Sequence, residues 1–426
     1  MQGYTSLKRV FVIAFVCIHV SINCSAYAVF THLALIDVNW DKVLLPLLKE
    51  KYPASSAEAL KEAHAYAYGG AVVPDMGYYP WGSKLFTNLT HYVRTGDFVE
   101  AALNDANNLN EYAFALGLLC HYNADVYGHS LGINVSVPVI YPKMKKKYGD
   151  TVTFGENHLT HLRTEFCFDV LQTARGNYAS AAYHDFIGFK VADTLLEKAF
   201  LETYGLSADD LFGNLAKATG RFRFTIMNLF PFLTKAAWAN RSAEIQKLDT
   251  TATSRHFIYR MHYKNDKHQF GKRDKPDFFD YVFAMFIKII PKIGPLKVIK
   301  YKDPGPNAEK KFIASFDTVS VQYAARIAVL HKRSLPLNNM DFDTGVPTSE
   351  GEYSLADKTY GDWLLKLQSQ KFDAITPDLK QNILAFYSKK GITDRRKRKL
   401  KLTEALAQLK AIKPSDSLTG TRLSKK

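Results

Sequence analysis

Residues 116–130 read LGLLCHYNADVYGHS, an apolar stretch that carries a histidine, an aspartate and a second histidine at intervals of four. These residues are His121, Asp125 and His129. An α-helix turns once in about 3.6 residues, so side chains four residues apart project from the same face. The stretch therefore predicts a buried helix with a stripe of imidazole and carboxylate groups.

A second stretch repeats this spacing. Residues 156–169, ENHLTHLRTEFCFD, place His161 and Glu165 four apart. Imidazole and carboxylate are ligand types that zinc prefers in proteins. A lone histidine in a helical protein is usually a core or surface residue, so the prediction of a metal site rests on the joint spacing. His64 and His158 also lie near these groups in the sequence, and we interpret His158 as a supporting or structural residue.

Helical patterns recur over residues 29–261, where strand patterns are sparse, and they return from residue 310 onward. Within residues 55–70, SSAEALKEAHAYAYGG, a helix is predicted to begin at Ser55 or Ser56 and to end at the two closing glycines. The predicted fold class is all-α, with a helix-rich C-terminal extension.

The amino terminus has the three-part pattern of a secretory leader. Lys8 and Arg9 precede an apolar run over residues 10–20, and small residues follow at positions 25, 26 and 28. A membrane-spanning helix needs about 20 residues, and this run is about half as long. We therefore predict a leader over residues 1–28 that is removed, and a secreted or periplasmic protein.

Composition limits the partners without choosing among them. The chain has 426 residues, 47% of them hydrophobic, and a formal net charge of +15. Such a balance favours anionic partners, among them phospholipid surfaces and nucleic acids. Cys120 and Cys167 lie outside the leader, and the sequence allows either a disulfide between them or two buried thiols.

Three more candidate ligands precede the central stretch: His32 in FTHLAL, Asp75 in VVPDMGYYP and His91 in LTHYVRTGD. In this order, together with HYNADVYGH, the candidates resemble the zinc-dependent phospholipases C, whose fold is shared with the three-zinc single-strand nucleases. One departure is the interval of four between Asp125 and His129, because the signature of the family has a longer gap there.

The resemblance implies three zinc ions. The implied ligands are His91, His121 and Asp125, with Asp75 at or near the metal, for the first ion, His129, His161 and Glu165 for the second, and His32 with a bridging Asp125 for the third. It also implies that Asp75 orients or deprotonates the attacking water. The alternative for Asp75 is an aspartate that caps a turn after Pro74.

In the family, the mature first residue also binds the third ion. Cleavage after Ala26 would make Tyr27 that residue, and cleavage after Ala28 would make it Val29. The small-residue pattern favours the second cut and the metal geometry the first, so the sequence leaves this ligand open.

The domains that follow are a leader over residues 1–28, a phospholipase C-like catalytic domain over residues 29–265, and an extension of unknown role over residues 266–426. The function implied by the resemblance is that of a secreted hydrolase that cleaves glycerophospholipids to diacylglycerol and a phosphorylated head group. Its expected partner is a phospholipid membrane surface, with nucleic acid less favoured. The alternatives are a zinc-dependent single-strand nuclease and a non-catalytic, metal-stabilised binding module.

Overall fold

The computed structural model describes residues 29–79, 82–175, 177–178, 186–229, 301–330, 336–388, 391–392 and 396–413. Throughout these ranges the regular elements are helices, and the predicted all-α class is confirmed. An isolated bridge between Met340 and Pro347 is the single strand-like pairing in the described ranges. The predicted leader lies outside them.

The helices fall into two groups along the chain. The first group is α1 (Val29–Asn39), α2 (Leu45–Lys51), α3 (Ala57–Val72), α4 (Lys84–Tyr92), α5 (Thr95–Asp105), α6 (Leu109–Gly128), α7 (Asn134–Ile140), α8 (Pro142–Tyr148), α9 (Phe154–Arg175), α10 (Asp193–Tyr204), α11 (Ala208–Phe212) and α12 (Leu215–Phe224). The second group is α13 (Gly305–Leu330), α14 (Ser354–Ser369), α15 (Pro377–Phe386) and α16 (Arg396–Ala411). Shorter turns are the π-helical Trp40–Leu44, His129–Ile133 and Thr225–Leu229 and the 3-10 turn Val73–Tyr78.

Helix α6 is the centre of the fold and is buried over most of its length. The side chain of Asn108 begins it by accepting a hydrogen bond from the backbone N–H of Glu111 at 3.0 Å. A helix with apolar residues on all sides needs neighbours all around it. Helices α3, α5 and α13 provide them, since each packs against α6.

The glycines of α3 serve packing rather than termination. The predicted start at Ser56 is confirmed, because its side chain accepts a backbone hydrogen bond at 3.2 Å. The predicted end at the two glycines is wrong, because the helix continues to Val72. A Cβ at Gly70 would lie 1.9 Å from the carbonyl oxygen of Phe114, so only glycine lets α3 and α6 approach this closely.

The C-terminal helices pack directly on the N-terminal ones. The buried hydroxyl of Tyr323 in α13 donates to the carbonyl oxygen of Leu116 in α6 at 2.8 Å. The buried indole of Trp363 in α14 donates to the carbonyl oxygen of Tyr204 in α10 at 2.8 Å. The predicted boundary at residues 265 and 266 lies outside the described residues and stays a prediction. The helices on either side of it share one hydrophobic core.

The two described cysteines are free thiols. Cys120 and Cys167 are both buried, and no disulfide joins them. Burial raises the pKa of Cys167 to about 12, so the group stays a neutral thiol at physiological pH.

Candidate metal centre

All eight ligands predicted from the sequence lie in one buried cluster. None of these side chains is more than 2% exposed. Their ligand atoms form three groups, each within 4.8 Å: Asp75, His91 and His121; His32, His121 and Asp125; and His129, His161 and Glu165. The third group is the set implied for the second ion. His121 belongs to the other two groups and joins them.

The carboxylate of Asp125 is the centre of this cluster. Its Oδ2 lies 3.2 Å from Nε2 of His121 and 3.4 Å from Nε2 of His91. Its Oδ1 lies 3.3 Å from Nε2 of His32 and 3.9 Å from Nε2 of His129. The two oxygens therefore face different histidines, which is the geometry that a bridging carboxylate requires.

Backbone carbonyls orient two of the imidazoles. Nδ1 of His91 donates to the carbonyl oxygen of Thr87 at 2.8 Å. Nδ1 of His121 donates to the carbonyl oxygen of Ala71 at 2.9 Å. Because each Nδ1 is occupied by this hydrogen bond, Nε2 is the nitrogen of each ring that faces the cluster and that could bind a metal ion once deprotonated.

A hydroxyl group holds the turn that carries Asp75. The side chain of Thr87 in α4 donates to the carbonyl oxygen of Pro74 at 2.8 Å and accepts from the N–H of Gly77 at 2.7 Å. These bonds tie the 3-10 turn to the helix that carries His91. As a result, Oδ1 of Asp75 lies 3.2 Å from Nε2 of His91.

The short interval between Asp125 and His129 does not remove His129 from the cluster. A π-helical turn begins at His129, and its ring centroid lies 5.0 Å from that of His161. In α9, which faces this turn, the backbone is non-helical at Asn157. The side-chain oxygen of Asn157 accepts a hydrogen bond from the N–H of Thr160 at 3.1 Å and so begins the next helical turn. His161 and Glu165 follow this kink.

The donor atoms fit a divalent cation. Among the described residues, no hydrogen bond of normal geometry reaches the buried Nε2 atoms of His91, His121 and His161 or the buried Oε1 of Glu165. Buried polar atoms are normally paired, and each one left without a partner costs free energy. Cations bound between these nitrogen and oxygen atoms would satisfy them, and this donor set is one that zinc prefers.

The charges in the cluster are strongly coupled. Burial lowers the pKa of His91, but the neighbouring carboxylates of Asp125 and Asp75 raise it to a net value of about 10. Burial, together with the negative charges of Asp75 and Asp125, raises the pKa of Glu165 well above its usual range. Burial and the nearby His129 lower the pKa of His161 to about 3.

These pKa values predict that zinc loading releases protons. A pKa of about 10 keeps the imidazole of His91 protonated at neutral pH in the metal-free protein, and burial with the nearby carboxylates raises the pKa of Glu165. Zinc binds the deprotonated forms of both groups, so zinc loading should release protons and zinc affinity should rise with pH. Zinc titration calorimetry in buffers of different ionisation enthalpy measures the number of protons released. A heat that does not depend on the buffer would contradict the prediction.

The sequence interpretation missed two residues of the site. The loop over residues 336–353 brings Asp343 to 3.3 Å from Nδ1 of His129, measured from its Oδ1, and the ring of Phe342 to 5.4 Å from that of His91. The paired aspartates of DFDTG, residues 341–345, are a visible signal in the sequence. Nothing in their spacing connects them to the histidines far upstream.

The remaining histidines named in the sequence interpretation lie outside the three groups. Nε2 of His64 lies 3.1 Å from Oδ1 of Asp37, and its ring stacks on Trp40 at 3.9 Å. His158 is exposed beside Phe154.

The helical fold surrounds overlapping groups of buried histidines and carboxylates that could hold several metal ions. Residues 31–214 match the family model described as zinc dependent phospholipase C, and this match supports the zinc-dependent phospholipase C family for this part of the chain. The family supports zinc as the metal. Comparisons with curated proteins and with solved structures gave no match.

Proposed function

We propose that this protein is a secreted, zinc-dependent phospholipase C. It would hydrolyse the phosphodiester of glycerophospholipids and release diacylglycerol and a phosphorylated head group. The observation that carries the proposal is the convergence of eight buried imidazole and carboxylate side chains within the region that matches the family.

In the proposed mechanism, Asp125, Asp75 and the two neighbouring histidines have separate tasks. Bound zinc supplies an activated water near neutral pH and neutralises the charge of the phosphodiester. Asp125 lies between the histidines of two groups, and its two oxygens would contribute to holding cations in both. Asp75, fixed by the hydroxyl of Thr87, is the carboxylate that would orient the attacking water or accept its proton. His91 and His121 would hold the cation beside it.

Two observations support a lipid surface as the place of action. The leader pattern at the amino terminus supports export. The net charge of +15 supports attraction to anionic lipid, and the exposed lysines of α8 extend that charge along the chain beyond His129. In the described part of the chain, no helix has the length and apolar character to cross a bilayer.

The test is an assay of the purified protein on three substrates, with and without a zinc chelator. The substrates are vesicles of phosphatidylcholine, vesicles of phosphatidylglycerol, and single-stranded DNA. We expect zinc-dependent release of diacylglycerol while the DNA stays intact. Cleavage of DNA without lipid hydrolysis would replace the proposal with the nuclease alternative. Bound zinc without either activity would favour the binding module.

A further inference from the structure

We propose that Asp343, outside the region that matches the family, is a positioning residue for the metal ligand His129. The inference rests on the proposed function, because it requires a metal ion at His129, His161 and Glu165. It assigns a role in the metal centre to a loop of the C-terminal extension.

The two ring nitrogens of His129 face opposite sides. Nε2 of His129 lies on the side of Asp125, at 3.9 Å from its Oδ1. Nδ1 lies on the opposite side, 3.3 Å from Oδ1 of Asp343, and both side chains are fully buried. A carboxylate this close to Nδ1 favours a proton on that nitrogen, which leaves the lone pair of Nε2 available to a cation.

The group that faces Nδ1 of His129 differs in kind from the groups that face Nδ1 of His91 and His121. His91 and His121 are oriented by backbone carbonyls within the matched region. For His129, the group that faces Nδ1 is a carboxylate, whose Oδ1 lies 3.3 Å away at ion-pair distance. A negative charge at this position also makes the imidazole a stronger ligand, which a neutral carbonyl does to a smaller degree.

Asp343 is itself held in place by several hydrogen bonds. Its Oδ2 accepts from the hydroxyls of Tyr353 at 2.5 Å and Tyr92 at 3.0 Å. Its carbonyl oxygen accepts from Nδ2 of Asn134 at 2.6 Å, and its N–H donates to Asp341 at 2.9 Å. Both carboxylate oxygens therefore have defined neighbours, and the side chain cannot turn away without breaking buried hydrogen bonds.

The loop around Asp343 is fitted closely to the helices of the site. Gly345 has a φ of +73°, and a Cβ there would lie 2.5 Å from the carbonyl oxygen of Val126 in α6. The N–H of Phe342 donates to the carbonyl oxygen of His91 at 3.1 Å. The hydroxyl of Tyr122 donates to the carbonyl oxygen of Asn338 at 2.8 Å. These contacts hold the loop against α4 and α6, the helices that carry His91, His121 and Asp125.

The test compares zinc binding by the full-length wild-type protein and the Asp343→Asn and Asp343→Ala variants. Loss of a hydrogen-bonding partner of a metal ligand typically weakens metal affinity about 10- to 100-fold. We expect a loss of this size for one zinc ion in Asp343→Ala and a smaller loss in Asp343→Asn, which keeps an acceptor oxygen. The other ions should keep their affinity. Competition with a chromogenic chelator measures each constant.

A second readout separates positioning from a general loss of stability. In nitrogen-15 spectra of histidine-labelled protein, we expect the His129 proton on Nδ1 in the wild type and shared between both ring nitrogens in Asp343→Ala. Asp317→Asn makes the matched change at an exposed aspartate in α13 and should alter neither readout.

Zinc binding by the wild type together with unchanged constants and an unchanged tautomer in both variants would overturn the inference and leave the proposed function intact. A uniform loss of all ions with a lower melting temperature would also overturn it, because that result indicates a structural role. A wild type that binds no zinc would overturn the inference and the proposed function together.

Discussion

Replacing Asp125 with asparagine is expected to lower turnover by more than about 100-fold, since even loss of an outer partner of a metal ligand costs about 10- to 100-fold. The substitution keeps the size of the side chain and removes its charge. Asp125 lies within 3.2–3.9 Å of four imidazole Nε2 atoms, so its loss would weaken the binding of any cation held by these histidines. Zinc content, measured by elemental analysis of dialysed protein, should fall together with activity.

The matched control for this prediction is Asp41→Asn. Asp41 is exposed in the π-helical turn that follows α1 and lies outside the three ligand groups. It undergoes the same chemical change, and we expect full turnover and full zinc content. Circular dichroism of both variants tests that the helices are retained. An Asp125→Asn protein with wild-type turnover would contradict the bridging role and weaken the proposed mechanism as a whole.

Replacing Trp363 with alanine is expected to lower the free energy of unfolding by about 3–5 kcal/mol, as is typical for truncating a large buried aromatic side chain. Trp363 is fully buried, its ring lies 5.8 Å from that of Tyr360, and its indole N–H donates to the carbonyl oxygen of Tyr204. The variant therefore creates a cavity and leaves a buried acceptor without its donor. Urea denaturation followed by circular dichroism measures the change.

Two control variants separate the packing of the Trp363 ring from its hydrogen bond and from the effect of an exposed side chain. Trp363→Phe retains most of the apolar surface and loses the hydrogen bond, so its cost should be the smaller one. Leu400→Ala removes a side chain that is 65% exposed on α16 and should be close to neutral.

In the wild type, loss of helix and release of zinc should coincide, because the C-terminal helices share the core of the N-terminal ones. Two separate transitions would contradict this shared stability.

Much of the candidate metal centre could be predicted from the sequence because several of its residues follow helix periodicity. His121 and Asp125 share one face of α6, and His161 and Glu165 share one face of α9, in any helix of these residues. His32, Asp75 and His91 could be added only through the resemblance to a family. The structure brings all of them together, and their role as zinc ligands stays a prediction.

One local prediction shows the limit of reasoning from sequence patterns. The glycines of α3 were interpreted as a helix end, because glycine commonly terminates helices. In the fold, the same absence of a side chain lets α3 and α6 approach each other, as the contact between Gly70 and Phe114 shows. Whether glycine ends a helix or packs it depends on the neighbour that lies opposite, and a local pattern contains no information about that neighbour.

By itself, the sequence determined the all-α class, the ligand types and the helix faces that present them, because these depend on residues a few positions apart. Only the tertiary structure decided that the loop over residues 336–353 reaches the histidines and that the C-terminal helices stabilise the domain that carries them. These contacts join residues that are remote along the chain. They form because burial of Trp363, Tyr323 and Phe342 against the N-terminal helices is favourable, and Asp343 arrives beside His129 with them.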